Sequence, residues 1–238
     1  MRSLICFALK EEAAPFRKIA AGKAGISILL TGIGRQNAEK SVREFLLINS
    51  PELVLACGFA GGLNPDLKLG DVVFEIFPSS SRGDEVQTEI GNRQSAIGNQ
   101  SEPPHVGCYD KLIAAGAKPV KIFCADRIAT TVADKKKLRA ETGADAVDME
   151  SAVIHAVCRE RGIPCATVRV ISDTASEDLP LDFNTLAKPD KSLDFGKLFL
   201  TIAKSPGKIG ALMELQKKTK FAAKRLADVL IEILHPPR

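Results

Sequence analysis

Ala144-Asp145-Ala146-Val147-Asp148-Met149-Glu150-Ser151, followed about one helix later by Val168-Arg169-Val170-Ile171-Ser172-Asp173, is the stretch that decides the fold. Each half is a short apolar run ending in a carboxylate. Runs of that kind, separated by a helical pattern, read as buried strands of a βαβ unit. In an open α/β sheet, ligands bind outside the C-terminal ends of the strands. Two such ends, carrying Glu150 and Asp173, would bring two carboxylates to one crevice. Ser151 to Arg161 reads as the connecting helix, with Gly162 as its C-cap and Pro164 ahead of the next strand.

The same alternation extends in both directions. Residues 4–9 read as a strand and Glu11 to Ala21 as a helix whose first-turn acids suit the helix dipole, so Glu12 falls just past a strand end. Gly25 to Thr31 is a second strand, running into Gly32-Ile33-Gly34-Arg35-Gln36-Asn37 and a helix to about Ile48. As a dinucleotide fingerprint this is weak, because Asn37 replaces the last glycine. Gly34 and Arg35 at a helix N-terminus make a candidate anion site; the alternative is a tight turn with a surface arginine. Leu53 to Cys57 is a third strand, and Gly58-Phe59-Ala60-Gly61-Gly62-Leu63 reads as a glycine-rich turn that lets a ligand approach the backbone. Val72 to Phe77 and Val120 to Ala125 are further strands, and Ala133 to Thr142 is a charged helix. The expectation is a single α/β domain over 1–238, a three-layer α/β/α arrangement around a central mixed, twisted sheet.

Two segments stand apart. Residues 78–107 are polar and rich in Ser, Gly, Asn and Gln, and read as an inserted surface loop. Residues 205–234 read as a basic C-terminal helix opened by Ser205-Pro206, with Ala222, Leu226, Val229, Leu230 and Ile233 on one face. From Lys188 onward there are 11 Lys and Arg against 5 Asp and Glu, so the excess of +6 lies in the tail and the remainder carries −2 of the net +4. A helix packed on the domain and a helix lying on an anionic membrane surface both fit. Nucleic-acid binding does not, since Phe221 is the one aromatic among the basic residues of that helix. The six cysteines form no C-x-x-C pair or Cys/His cluster, so neither a metal site nor a disulfide framework is expected. The N-terminal apolar run is stopped at Lys10-Glu11-Glu12 and reads as a buried strand rather than a leader, which points to a cytoplasmic protein.

Val147-Asp148-Met149-Glu150-Ser151-Ala152 and Val168 to Asp173 together resemble the purine nucleoside phosphorylase / methylthioadenosine nucleosidase superfamily. Thr31-Gly32-Ile33-Gly34, Ala8 to Ala13, and Gly58 to Leu63 with Gly70-Asp71 support the likeness in the family order. Within the superfamily the chain looks most like the hopanoid-associated phosphorylases, through Leu9-Lys10-x-Glu12-Ala13, Ala125-Asp126-Arg127, Gly61-Gly62-Leu63-Asn64-Pro65 and Ser205-Pro206-Gly207-Lys208.

The resemblance implies cleavage of a purine N-glycosidic bond. By that likeness Asp173 protonates or hydrogen-bonds the purine N7, with Ser172 and Arg169 orienting it, and Glu150 accepts the ribose hydroxyls while Met149 packs on the sugar. Glu12 matches the residue that activates water in the nucleosidases, and Arg127 with Ile128 the backbone that reads the purine edge. Gly34, Arg35, Gly61 and Gly62 would hold phosphate in a phosphorylase, where inorganic phosphate is co-substrate and no other cofactor is implied; Phe59 and Phe183 would wall the pocket. Asp148 reads instead as a cap residue and His155 as structural. Phe59 stands where the nucleosidases usually carry Ser, which weakens the case for water. The leading expectation is therefore phosphorolysis of an adenosylhopane-type nucleoside by a homodimer. Hydrolysis of methylthioadenosine or adenosylhomocysteine is the alternative, and a silent nucleoside sensor is the non-enzymatic one.

Overall fold

The computed structural model describes residues 2–76, 106–186 and 206–234. Its centre is an eight-stranded mixed sheet. The strands are β1 (Ser3–Phe7), β2 (Ile26–Leu30), β3 (Leu53–Gly62), β4 (Val72–Ile76), β5 (Lys118–Pro119), β6 (Ile122–Cys124), β7 (Ala146–Asp148) and β8 (Cys165–Asp173). The order is β2-β1-β3-β8-β4-β5; β1, β2, β3 and β8 run parallel and β4 runs antiparallel to β8. The far end of β3 also pairs antiparallel with β7, which pairs parallel with β6.

The helices are α1 (Lys10–Ala20), α2 (Arg35–Ile48), α3 (Val106–Ala114), α4 (Val132–Thr142), α5 (Ser151–Glu160), the short α6 (Phe183–Leu186) and α7 (Ile209–Leu234). The alternation of side chains along the strands divides the core in two. Ile5, Phe7, Leu55, Val168 and Val170 pack toward Phe16 of α1 and Leu226 and Leu230 of α7. Leu4, Cys6, Val54 and Ala56 pack the other way, toward Val42 of α2 and Ile154 and Val157 of α5. That is the expected three-layer arrangement.

Two readings change. β3 does not end at Cys57: the segment taken for a glycine-rich turn continues as strand through Gly62. Gly61 and Gly62 allow it, because β7 and the end of β8 press on both; a Cβ on Gly61 would lie 3.2 Å from Val147 Cγ1, and one on Gly62 3.2 Å from Asp173 O. The apolar stripe of α7, which made a membrane-surface helix conceivable, is buried: Ala222, Leu226, Val229, Leu230 and Ile233 lie in the core. Among the described residues no helix is long and apolar enough to cross a membrane. Most of the 78–107 segment, the expected helix Leu193 to Ala203, Ser205, His105 and His235 lie outside the described residues.

Candidate active site

A cavity of about 580 Å³ opens at the C-terminal ends of β1, β3, β7 and β8. Glu12, Glu150 and Asp173 all line it, so the three carboxylates read from distant parts of the chain share one space. Met149, Ser172, Arg127, Ile128, Gly61, Phe59 and Phe183 line it as well. Leu215 and Thr219 of α7 complete a wall that no motif in the chain marks.

Glu12 lies in the first turn of α1 and is buried. Its Oε2 accepts from Leu9 N–H at 2.9 Å and its Oε1 from Phe59 N–H at 2.9 Å. Burial raises its proton affinity against the opposing pull of the Phe59 bond and the Arg169 charge. Gly58 matters here for close approach: a Cβ would fall 2.6 Å from Arg169 Nη1 and 2.8 Å from Glu12 Oε1.

Arg169 is a fully buried guanidinium behind the cavity. Val168 and Val170 point into the α1/α7 core, so the pleat turns Arg169 to the opposite face. Its Nη2 is 2.5 Å from Asp148 Oδ2 and 3.6 Å from Glu150 Oε2. The contact with Asp148 is an ion pair and not an aligned hydrogen bond, since neither Nη2 nor Nε meets an acceptor in line. Burial pulls the proton affinity of Arg169 down, and the charges of Asp148, Glu150 and Glu12 outweigh it and hold it up. Asp148 also accepts from Ser151 N–H at 3.1 Å and Ser151 Oγ at 2.8 Å, the capping role read from its position, to which the structure adds the arginine.

Glu150 sits at the N-cap of α5 without capping it. Its Oε1 accepts from Gly34 N–H at 2.8 Å. Burial pushes its carboxyl up to about 7, with Arg169 opposing and Asp148 adding. This bond places Gly34 beside the site but engages the N–H that was expected to face an anion. Arg35 turns away: its Nε is 3.1 Å from Asp126 Oδ1, its Nη2 donates to Cys124 C=O, and it does not line the cavity.

Asp173 ends β8 at a β-bulge, where Ala60 pairs with Ile171 and Gly61 already with Asp173. A bulge of this kind re-aims a strand end. Ser172 Oγ donates to Asp173 Oδ1 at 2.7 Å, and Lys135 Nζ lies 2.6 Å from Oδ2. No motif in the sequence marks Lys135 as a neighbour of Asp173.

Ile128 N–H donates to Asn184 Oδ1 at 2.9 Å and Asn184 Nδ2 donates to Ile128 C=O at 2.9 Å, so the backbone expected to read a purine edge is paired with a side-chain amide. The Arg127 side chain extends outward, 3.8 Å from Asp134. His155 Nε2 meets Thr167 Oγ1 at 2.8 Å, and burial lowers its proton affinity to about 4, which suits the structural role read for it. Among the described residues no group of three or more His, Cys, Asp or Glu could hold a metal ion.

A space lined by three buried carboxyl groups, two of them with raised proton affinity, can hold a polar ring and exchange protons with it. Comparison with known proteins gives the setting for that chemistry. Residues 7–204 match the family model described as the phosphorylase superfamily. A 5'-methylthioadenosine/S-adenosylhomocysteine nucleosidase of Shewanella halifaxensis is 29% identical over 181 residues, 70% of this chain and 76% of the relative. An aminodeoxyfutalosine nucleosidase of Helicobacter pylori is 25% identical over 193 residues, 74% and 78% of the two chains. Among solved structures, the Helicobacter pylori methylthioadenosine/adenosylhomocysteine nucleosidase superposes with a TM-score of 0.65 at 20% identity, over 98% of this chain and 97% of that one. The Colwellia psychrerythraea nucleosidase in complex with adenine does so with a TM-score of 0.65 at 19% identity, over 99% and 95%.

Proposed function

The chain belongs to the phosphorylase superfamily, and from that premise we propose that it cleaves the N-glycosidic bond of an adenine nucleoside with water, releasing adenine. The observation that carries this reading is that Glu12, Glu150 and Asp173 line one cavity. The relatives named as nucleosidases support it.

In this mechanism Asp173 protonates or hydrogen-bonds N7 of the departing base, so the bonding pair of the C–N bond leaves with the purine. Glu150 accepts the ribose hydroxyls and faces the developing oxocarbenium charge. Glu12 takes a proton from the attacking water; its raised proton affinity suits a general base. Met149 and Phe59 contact the sugar, and Phe183 and Leu215 present an apolar wall to the 5′ substituent.

Water is favoured over phosphate for a reason of charge and of donors. Gly34 N–H is bonded to Glu150, and Arg35 is paired with Asp126. What faces the nucleophile end is the carboxylate of Glu12, which repels an anion. The hydrophobic wall fits a thioether substituent. The adenosylhopane expectation would need that wall to continue outward along α7, where Ile209 and Met213 are exposed.

The test is adenine release from methylthioadenosine with and without inorganic phosphate. The expected rate is the same in both, with free sugar as co-product, and Glu12→Gln lowers kcat by roughly 10²–10⁴-fold. A rate that requires phosphate and yields a sugar phosphate overturns hydrolysis, and no release from any adenine nucleoside leaves a binding protein.

A further inference from the structure

We propose that Lys135 positions Asp173 for this reaction, an inference that rests on the function proposed above. Lys135 lies in α4, one turn past its N-cap Thr131, and its side chain is fully buried. Lysine is almost never fully buried unless paired. Its ammonium donates to Thr174 C=O at 2.7 Å and Glu177 C=O at 2.8 Å, and forms an ion pair with Asp173 Oδ2 at 2.6 Å, so three oxygens surround it.

The set of partners argues for more than a tie between helix and loop. Two of them belong to the turn that follows β8, and the third is the carboxylate that faces the cavity. Lys135 does not line the cavity, so it reaches a substrate through Asp173 alone. Ser172 Oγ holds the other carboxylate oxygen. Asp173 is therefore held from two sides, with its carboxyl group fixed in the space that also contains Glu12 and Glu150. The N-terminus of α4 is anchored to the same turn: Val132 N–H donates to Asp178 Oδ1 at 2.6 Å and Leu179 N–H to Thr130 C=O at 2.8 Å. The helix start is thereby set against the segment that Lys135 grips. Three acceptors around one point suit an ammonium better than a planar guanidinium fork.

The experiment is a double-variant cycle on the full chain, with adenine release from methylthioadenosine as readout. Lys135→Met is expected to lower kcat by roughly 10–100-fold with KM moved less than about threefold, because an interaction felt only in the transition state has been lost. Asp173→Asn is expected to lower kcat by about 10²–10⁴-fold. The double variant should be no slower than Asp173→Asn alone, as a residue acting through Asp173 has nothing left to act on. Losses that multiply in the double variant would assign Lys135 to the fold only, and so would wild-type kcat in Lys135→Met. Should Lys135→Met fail to fold by thermal melting, Lys135→Arg takes its place in the cycle. It keeps the charge and loses the three-point geometry, so its kcat should fall without a matching loss of melting temperature. Wild-type kcat in Lys135→Arg overturns the proposal. A wild-type protein that releases no adenine removes the functional reading and this inference together; an active wild type with an unaffected Lys135→Met removes this inference alone.

Discussion

The cavity has two charged ends built on opposite principles. At the end proposed for the sugar one guanidinium, Arg169, faces three carboxylates, Glu12, Asp148 and Glu150. At the end proposed for the base one ammonium, Lys135, faces one carboxylate and two backbone carbonyls. The first cluster has more acid than its cation can balance, and burial then raises the proton affinity of Glu12 and Glu150. The second holds one carboxyl group between Lys135 and Ser172. Surplus negative charge suits a place where a sugar becomes cationic and water must lose a proton. A carboxyl group gripped from two sides suits a place where it must meet one ring nitrogen in a set direction.

Breaking the first end at its cation should have the largest effect. Arg169→Met leaves three acids in a buried site without their counter-charge, and such a loss costs about 3–5 kcal/mol. Chemical denaturation of wild type and variant checks this; a difference below about 1 kcal/mol would mean that water already screens the cluster. Asp173→Asn takes the carboxylate from buried Lys135 but leaves its two carbonyl acceptors, so it should cost less stability than Arg169→Met while lowering turnover by about 10²–10⁴-fold, and that split would sharpen the comparison.

Next in size is pH. Glu150 titrates near 7 in the folded chain against 4.5 as its ordinary value. Its ionised form is the one that accepts ribose hydroxyls, so kcat/KM should rise with pH to a plateau above about 7. The sign for stability is the opposite. Between 4.5 and about 7 the folded state keeps a proton on Glu150 that the unfolded state has released, so this group's contribution falls as pH rises through that window. His155 works the other way: lowered from 6.5 to about 4, it costs stability as pH falls across that range. Glu150→Gln should thus gain on wild type in denaturation midpoint as pH is raised toward 7. A constant gap between the two across the window would show that Glu150 is ionised throughout.

The smallest effect probes the base end. A purine that reads Ile128 N–H and C=O has to displace the Asn184 amide. Asn184→Ala removes that competitor, and the Kd of adenine measured by calorimetry should fall by roughly 2–10-fold, the scale of one or two exchanged hydrogen bonds. A weaker affinity would instead make Asn184 a brace for the edge.

Much of the scaffold was legible because strand and helix periods are local. The runs at 4–9, 25–31 and 165–172 became β1, β2 and β8 with shifts of one or two residues at their ends. Glu12, Glu150 and Asp173 were legible as site candidates because each stands at a strand end or just beyond one. The β3 extension was not, since glycines signal a turn until neighbouring strands are known to crowd them. The partners at the start of α2 were not legible either: a helix N-terminus attracts any anion, and here Glu150 from 116 residues away takes the Gly34 N–H while Arg35 pairs with Asp126.

By itself, then, the chain determined its layers, the ends of its strands and the carboxylates they carry, because alternation, apolar runs and turn residues act over a few neighbours. Tertiary structure alone decided which cation serves which acid. Lys135 opens the run Lys135-Lys136-Lys137 in the charged helix read over Ala133 to Thr142. Only the packing of α4 against the turn after β8 buries the first of the three and brings it to Asp173, 38 residues on. Burial is a property of the assembled fold, and burial sets both the strength of a charge pair and the proton affinity of the groups within it.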